Sequence, residues 1–361
     1  MCFVHCLWDD IFFYFYTMIK KILSSVILVS ISIFLNSCGN ETTVQNTTTT
    51  PTVDSVKVNT PEALAKLNDA IAKDPKNADL LHQRAKYFLE QQEINDGIID
   101  MIDALNIDSS KSVYYMTISE LYFLGNKTGK SKLALERAIK LDEKNIDAIL
   151  KLAELYLYVA KHDKSIEYIN MALKLDMYNS KAYFMKGMNF KELGDTAKAI
   201  SSMQTAVEQD QVYYQAFMQL GLLCAAKRNP LAVQYYKNAI RLNPKSTEAI
   251  YGLGKYYQDI EDYANALATY KSILDYEQNP NVHYNIGAIH LGNTRKYDLA
   301  LTHFTESIKL DPKYTDAYFA RGVTYEKMGN KKNAITDYQA CLAISPEYQL
   351  AKLALQKLGQ K

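Results

Sequence analysis

The chain has 361 residues, and its 41 Lys and Arg nearly balance its 40 Asp and Glu, for a formal net charge of +1. That balance, with no long basic run, offers no surface able to track phosphates and argues against nucleic acid as a partner.

Residues 1–17 are aromatic and carry Asp9 and Asp10 but no Lys or Arg. They read as an upstream extension from a start site assigned too early, with Met18 as the true first residue. Residues 18–37 then read as a secretory signal: Lys20 and Lys21 precede an apolar run from Ile22 to Leu35, followed by Asn36-Ser37-Cys38-Gly39. The run is shorter than the about 20 residues that a spanning helix needs. A competing account, a membrane helix from about Ile11 to Leu35, would hold Lys20 and Lys21 mid-span at about 2.5–3.5 kcal/mol each. The end of the run resembles a bacterial lipobox, which implies cleavage before Cys38 and lipid attachment on its sulfur. Asn36 stands where that pattern more usually has Ala or Ser. Durable anchoring takes two acyl signals, and several chains on Cys38 would supply it. Residues 38–60 form the tether. Glu41 to Thr60 is rich in Thr and Asn with almost nothing apolar to pack, so disorder is expected, with a reach on the order of 25 Å.

Beyond the tether, small residues recur at a nearly fixed interval. Ala85, Ser119, Ala153, Gly187, Gly221, Gly254, Gly287 and Gly322 follow one another at 33 to 35 residues. A second series, Ala70, Ala104, Ala138, Ala172, Ala206, Ala239, Ile273, Ser307 and Cys341, keeps step with it. Such a period means stacked supersecondary units and not one closed core. The last unit shows what one period contains. Tyr318, Gly322 and Tyr325 share one helical face, and Gly329-Asn330 closes that helix with glycine in the left-handed region. Ala334, Tyr338 and Cys341 mark a second helix, stopped at Ile344-Ser345-Pro346 because proline cannot continue it. Each period is therefore predicted to be two antiparallel helices, with small residues where they cross.

These residues resemble the tetratricopeptide repeat. Its aromatic position in the first helix is filled by Phe88, Tyr122, Tyr156, Phe190, Tyr257 and Tyr325, and departs to Cys224 and His290. Its closing proline appears as Pro75, Pro244, Pro312 and Pro346 and is replaced by Ser109, Glu143, Met177, Gln211 and Gln278. The resemblance implies an all-α, right-handed α-solenoid of stacked helix–turn–helix repeats, about eighteen helices and no strands. Residues 61–77 form a lone N-terminal helix, residues 78–346 eight repeats and residues 347–361 a C-terminal capping helix. The eight repeats start near Ala78, Ser112, Ile146, Ser180, Tyr214, Thr247, Pro280 and Thr315.

Function is then expected in a surface. No nucleophile–base pattern, phosphate loop or dinucleotide turn is present, so neither an enzyme nor a cofactor site is expected. Cys224 and Cys341 lie in repeats five and eight, too far apart to pair, since units of a solenoid touch only their neighbours. His283 and His290 are seven residues apart, about 10.5 Å along a helix, too far to share a metal ion. They read as core or edge residues at packing places of repeat seven, in which His303 also lies.

The inner, concave side should be lined by His82, Met116, Leu150, Phe184, Met218, Tyr251, Tyr284 and Phe319, with Lys86, Glu120, Glu154, Met188, Leu222, Lys255, Ala288 and Val323 one turn on. Around repeats four and five both rows are apolar. The expected partner groove comprises Phe184, Met185, Met188, Met218, Leu222, Tyr251, Lys255, Tyr284 and Phe319. Methionine-rich surfaces adapt to partners, and exposed apolar patches mark interaction sites; the opposing possibility is that these side chains pack against the next repeat. A chaperone-tail clamp is disfavoured, because the first row lacks lysine and the second lacks asparagine. A glycan platform is disfavoured too, because the single tryptophan is Trp8. The expectation is a lipid-anchored scaffold of the cell envelope, on the periplasmic face of the outer membrane, that holds a segment of another envelope protein. The alternative is a ligand-capture lipoprotein for peptide or glycan uptake.

Overall fold

The computed structural model describes residues 61–359; the leader, Cys38 and the tether lie outside the described residues. Among the described residues are eighteen α-helices and no strands. Helix α1 (Pro61–Lys73) is followed by eight helix pairs and a final helix. The pairs are α2 (Ala78–Glu90) with α3 (Ile94–Ile107), α4 (Ser112–Leu124) with α5 (Thr128–Leu141), α6 (Ile146–Tyr158) with α7 (His162–Leu175), and α8 (Ser180–Glu192) with α9 (Thr196–Gln209). They continue as α10 (Tyr214–Ala226) with α11 (Leu231–Leu242), α12 (Thr247–Asp259) with α13 (Tyr263–Leu274), α14 (Pro280–Ile289) with α15 (Tyr297–Leu310), and α16 (Thr315–Lys327) with α17 (Lys331–Ile344); α18 (Gln349–Lys357) ends the series. Each helix packs on the ones before and after it, and the further contacts that skip one helix join first helices: α2 to α4, α6 to α8 and α10 to α12. First helices thus approach one another, and the stack bends toward them, placing them on its inner side.

Side chains at the crossing positions explain both small-residue series. Ala104, Ala138, Ala172, Ala206, Ala239, Ile273, Ser307 and Cys341 are fully buried. In the glycines of repeats five to eight the nearest neighbour is a ring. A β-carbon on Gly254 would lie 2.7 Å from Cε1 of Tyr270, and one on Gly322 would lie 2.7 Å from Cε1 of Tyr338. Gly221 and Gly287 meet Tyr236 and Phe304 in the same way. Each of these four glycines is the seat of an aromatic from the second helix of its own repeat, while Gly187 seats Met203.

Repeats that lack the closing proline still stop their second helix. Asp108, Asp142, Asp176 and Asp210 each take an extended conformation just past it. Each carboxylate then accepts the backbone N–H two residues on, from Ser110, Lys144, Tyr178 and Val212, at 2.9–3.1 Å. The same turn forms at Asp311 ahead of Pro312, so the hydrogen bond stops the helix with or without the proline. The turn inside each repeat holds one residue in the left-handed region: Gln92, Asn126, Ala160, Gly194, Arg228, Glu261, Arg295 and Gly329, with φ between 51° and 79°. Glycine therefore marks only two of the eight. In repeat seven the step to the next glycine is longer, and the surplus is taken up by a π-helical turn at His290–Thr294.

The first and last pairs share a device. Arg84 grips Asp100 with Nε and a terminal nitrogen at 2.8 and 2.7 Å, and Arg321 grips Asp337 at 2.8 and 2.8 Å. Both carboxylates are about nineteen-twentieths buried (4% and 5% exposed), so each bidentate pair locks the two helices of a terminal repeat.

Candidate binding face of the solenoid

The inner face is built from the first helices, α2, α4, α6, α8, α10, α12, α14 and α16. Several residues expected to line it pack instead on an aromatic that precedes or opens the next repeat. His82 lies against Tyr114 (ring centroids 4.9 Å), Phe184 against Tyr213 (5.0 Å), Tyr284 against Tyr314 (5.2 Å) and Phe319 against Tyr348 (5.3 Å). Tyr251 leans on Tyr270 and its hydroxyl accepts from Asn285 at 2.9 Å. These side chains are half-buried: one edge seals the joint between repeats and the other faces the hollow. The joint partners Tyr213, Tyr314 and Tyr348 were not singled out in the sequence. Their signal was a tyrosine immediately before a repeat start, and Tyr314 and Tyr348 are one period apart.

Two residues expected in the groove do not line it. Met185 and Met218 are 5% and 4% exposed and sit in the core, Met185 with Ile149, Leu150 and Ala153, Met218 with Phe217, Tyr236 and Leu253. The cause is the width of the buried stripe: a first helix packed between its own second helix and the preceding repeat buries a wider arc than one row. What remains open at repeats four and five is Leu222, at 42% exposed, with Met188 and Phe184 half-buried. The Lys191 ammonium, whose pKa burial lowers, donates to Gln219 at 2.9 Å and ties α8 to α10 beside them. Lys255 is exposed and salt-bridged to Asp259 within its own helix.

Electrostatics divide the face. Toward the N-terminus, ion pairs link one repeat to the next: Lys111 to Asp79 at 2.7 Å, Lys151 to Glu120 at 3.0 Å and Lys181 to Glu154 at 3.9 Å. Toward the C-terminus, hydroxyls and rings take over. Tyr214 and Ser246 share a hydrogen bond at 2.5 Å, and Tyr348 donates to Asp316 at 2.7 Å. Burial pushes the Tyr284 hydroxyl up to about 12. Glu248 is exposed by its surface, yet its crowded setting raises its pKa through desolvation alone.

Repeat seven gathers three histidines. His303 from α15 places Nδ1 3.0 Å from Nδ1 of His283, and its ring centroid is 6.0 Å from that of His290. The seven-residue separation of His283 and His290 is real, but the sequence did not show that a third ring lies between them. Burial lowers all three, His303 to about 4. Among the described residues no group of three His, Cys, Asp or Glu is arranged to hold a metal ion. Cys224 and Cys341 are free, buried thiols, and desolvation raises both, Cys341 to about 11, far from reactive thiolate. No helix among the described residues is long and apolar enough to cross a membrane.

Comparison with known proteins agrees with this architecture. Descriptions of the tetratricopeptide repeat match residues 113–145, 184–247, 225–283 and 315–348, and that of the TPR repeat matches residues 296–329. Human serine/threonine-protein phosphatase 5 is 26% identical over 104 residues, covering 29% of this chain and 21% of that protein. Human tetratricopeptide repeat protein 6 is 29% identical over 161 residues, covering 33% and 30%. The chain thus spans well under half of these relatives' lengths. Among solved structures, the C-terminal part of a TPR repeat-containing protein from Cytophaga hutchinsonii superposes with a TM-score of 0.50 at 18% identity, covering 61% of this chain and 92% of that one. The period and the paired helices agree with these matches, and the chain belongs to the tetratricopeptide repeat family.

Proposed function

We propose that this protein is a scaffold or adaptor lipoprotein that holds a segment of another envelope protein along the inner face of its solenoid, and that it is not an enzyme. Membership of a repeat family that works through protein contacts supports the coarse reading. The observation that carries the finer one is Leu222, large, apolar and 42% exposed, on the inner row between Met188 and the tyrosines of repeats six to eight. An apolar side chain held open on a face whose aromatic members are half spent on joints between repeats suits an anchor for a partner's side chain. Attachment through lipid on Cys38, with the repeats held at the periplasmic side of the outer membrane by residues 38–60, is part of this proposal and rests on the lipobox resemblance.

The test uses the intact protein in its own cells. A photo-crosslinker at Leu222 should capture a protein partner, and Leu222→Glu with Met188→Glu should abolish capture of that partner in a pull-down while the helical signal stays unchanged. Met218→Glu is unsuitable, because it would bury a charge in the core. Cys38→Ser should release the protein from the membrane fraction. Unchanged capture by the double variant would defeat the groove, and capture of only a peptide or glycan transporter would favour the uptake role.

A further inference from the structure

Cations are used unevenly along the inner face. In repeats one to four, lysines meet carboxylates of the neighbouring repeat, as Lys111, Lys151 and Lys181 do. In repeats six to eight, the first helices α12, α14 and α16 carry only Lys255, Arg321 and Lys327. Lys255 is taken by Asp259, Arg321 is spent inside its own repeat on Asp337, and Lys357 of α18 takes Glu326. Among the described residues, two carboxylates at the N-terminal ends of these helices have no cationic partner. Glu248 accepts no hydrogen bond and forms no ion pair among the described residues, although desolvation raises its pKa, and Asp316 has only the Tyr348 hydroxyl. Beside them lies a run of half-buried rings: Tyr251, Tyr284, Tyr314 and Phe319, with Tyr284 and Tyr314 5.2 Å apart.

We infer that repeats six to eight take an extended segment bearing arginine or lysine, whose cations meet Glu248 and Asp316 and lie over the faces of Tyr284 and Tyr314. This rests on the inner face being the binding surface and names the partner's chemistry there. A cation approaching a crowded carboxylate without a counter-ion relieves the cost of that charge, where a carboxylate ligand would add to it. The half-buried rings of Tyr284 and Tyr314 would supply a second attraction for the same group, greater for the planar guanidinium. Leu222 then marks the apolar end of the segment and the aromatic wall its basic end.

The experiment is fluorescence anisotropy with the full-length chain in detergent, using labelled Gly-Ser-Arg and Gly-Ser-Glu repeat peptides as probes. The arginine probe should bind saturably and weaken as salt rises, and the glutamate probe should not bind. Glu248→Gln with Asp316→Asn should weaken the arginine probe about tenfold or more, with an unchanged melting temperature. Tyr284→Leu should weaken it as well, and Glu120→Gln, in the paired N-terminal half, should not. Equal binding of both probes, or wild-type binding by the Glu248→Gln, Asp316→Asn chain, overturns the inference. If the arginine probe fails while crosslinking from Leu222 still captures a partner, the groove stands and the cationic occupant falls; if both fail, both readings fall.

Discussion

Repeats one to three and repeats five to eight solve the same packing problem with different chemistry. In the first group the crossing residue is Ala85, Ser119 or Ala153, and the buried residue facing it from the second helix is Met101, Leu135 or Ile169. In the second group the crossing residue is Gly221, Gly254, Gly287 or Gly322, and the facing residue is Tyr236, Tyr270, Phe304 or Tyr338. Repeat four stands between them, with Gly187 under Met203. A ring needs the space of a β-carbon, so glycine and aromatic arrive together. The inner surface changes over the same stretch, from lysine–carboxylate links to tyrosine hydroxyls and stacked rings. The lesson is that one backbone period tolerates two cores, provided both members of the crossing change at once.

The largest effect should come from removing a ring. Tyr270→Ala should cost about 3–5 kcal/mol, because it empties a fully buried site over a glycine that cannot fill it. Chemical denaturation read by circular dichroism measures it, and a loss below that of Ile169→Ala in repeat three would break the contrast.

A smaller effect tests the pairing itself. Gly254→Ala should cost about 1–3 kcal/mol through overpacking against Tyr270, and Gly254→Ala with Tyr270→Ile should recover part of that loss by rebuilding the chemistry of repeat three. Additive losses in this double-variant cycle would show that the two sites are not coupled.

The smallest effect concerns acid. His303 is held near 4, below the ordinary 6.5, by burial first and then by its histidine neighbours and Lys271. The unfolded chain therefore binds the proton first, so this contribution to stability is complete above about pH 6.5 and lost as pH falls toward 4. Discounted for the ring's part exposure, the loss should be about 1–2 kcal/mol. His82 in repeat one is also held near 4, but no other histidine stacks on it. Hydrogen exchange at pH 5 should therefore loosen α14 and α15 more than α2, and His303→Leu should remove the difference; equal loosening of the two regions would refute it.

Much of the fold was legible because its signals are local and repeated. Two small-residue series, helix stops and a tyrosine at matched offsets announce paired helices whatever their neighbours are. The first helices begin at Ala78, Ser112, Ile146, Ser180, Tyr214, Thr247, Pro280 and Thr315, where the period places them. The binding face was legible only in outline. Phe184, Tyr251, Tyr284 and Phe319 sit on the inner row, but each is half spent on a joint between repeats. Met185 and Met218 could not be told from their open neighbours Met188 and Leu222, since all four are apolar and within a turn of the same stripe.

The amino-acid order alone determined the period and the helix pairs, because helical periodicity and chain breaks act within a few residues. Tertiary structure decided which apolar residues stay open, which carboxylates keep no cation, and that His303 stands between His283 and His290. Those outcomes depend on how closely one repeat presses on the next, a distance set by side chains about a full period apart.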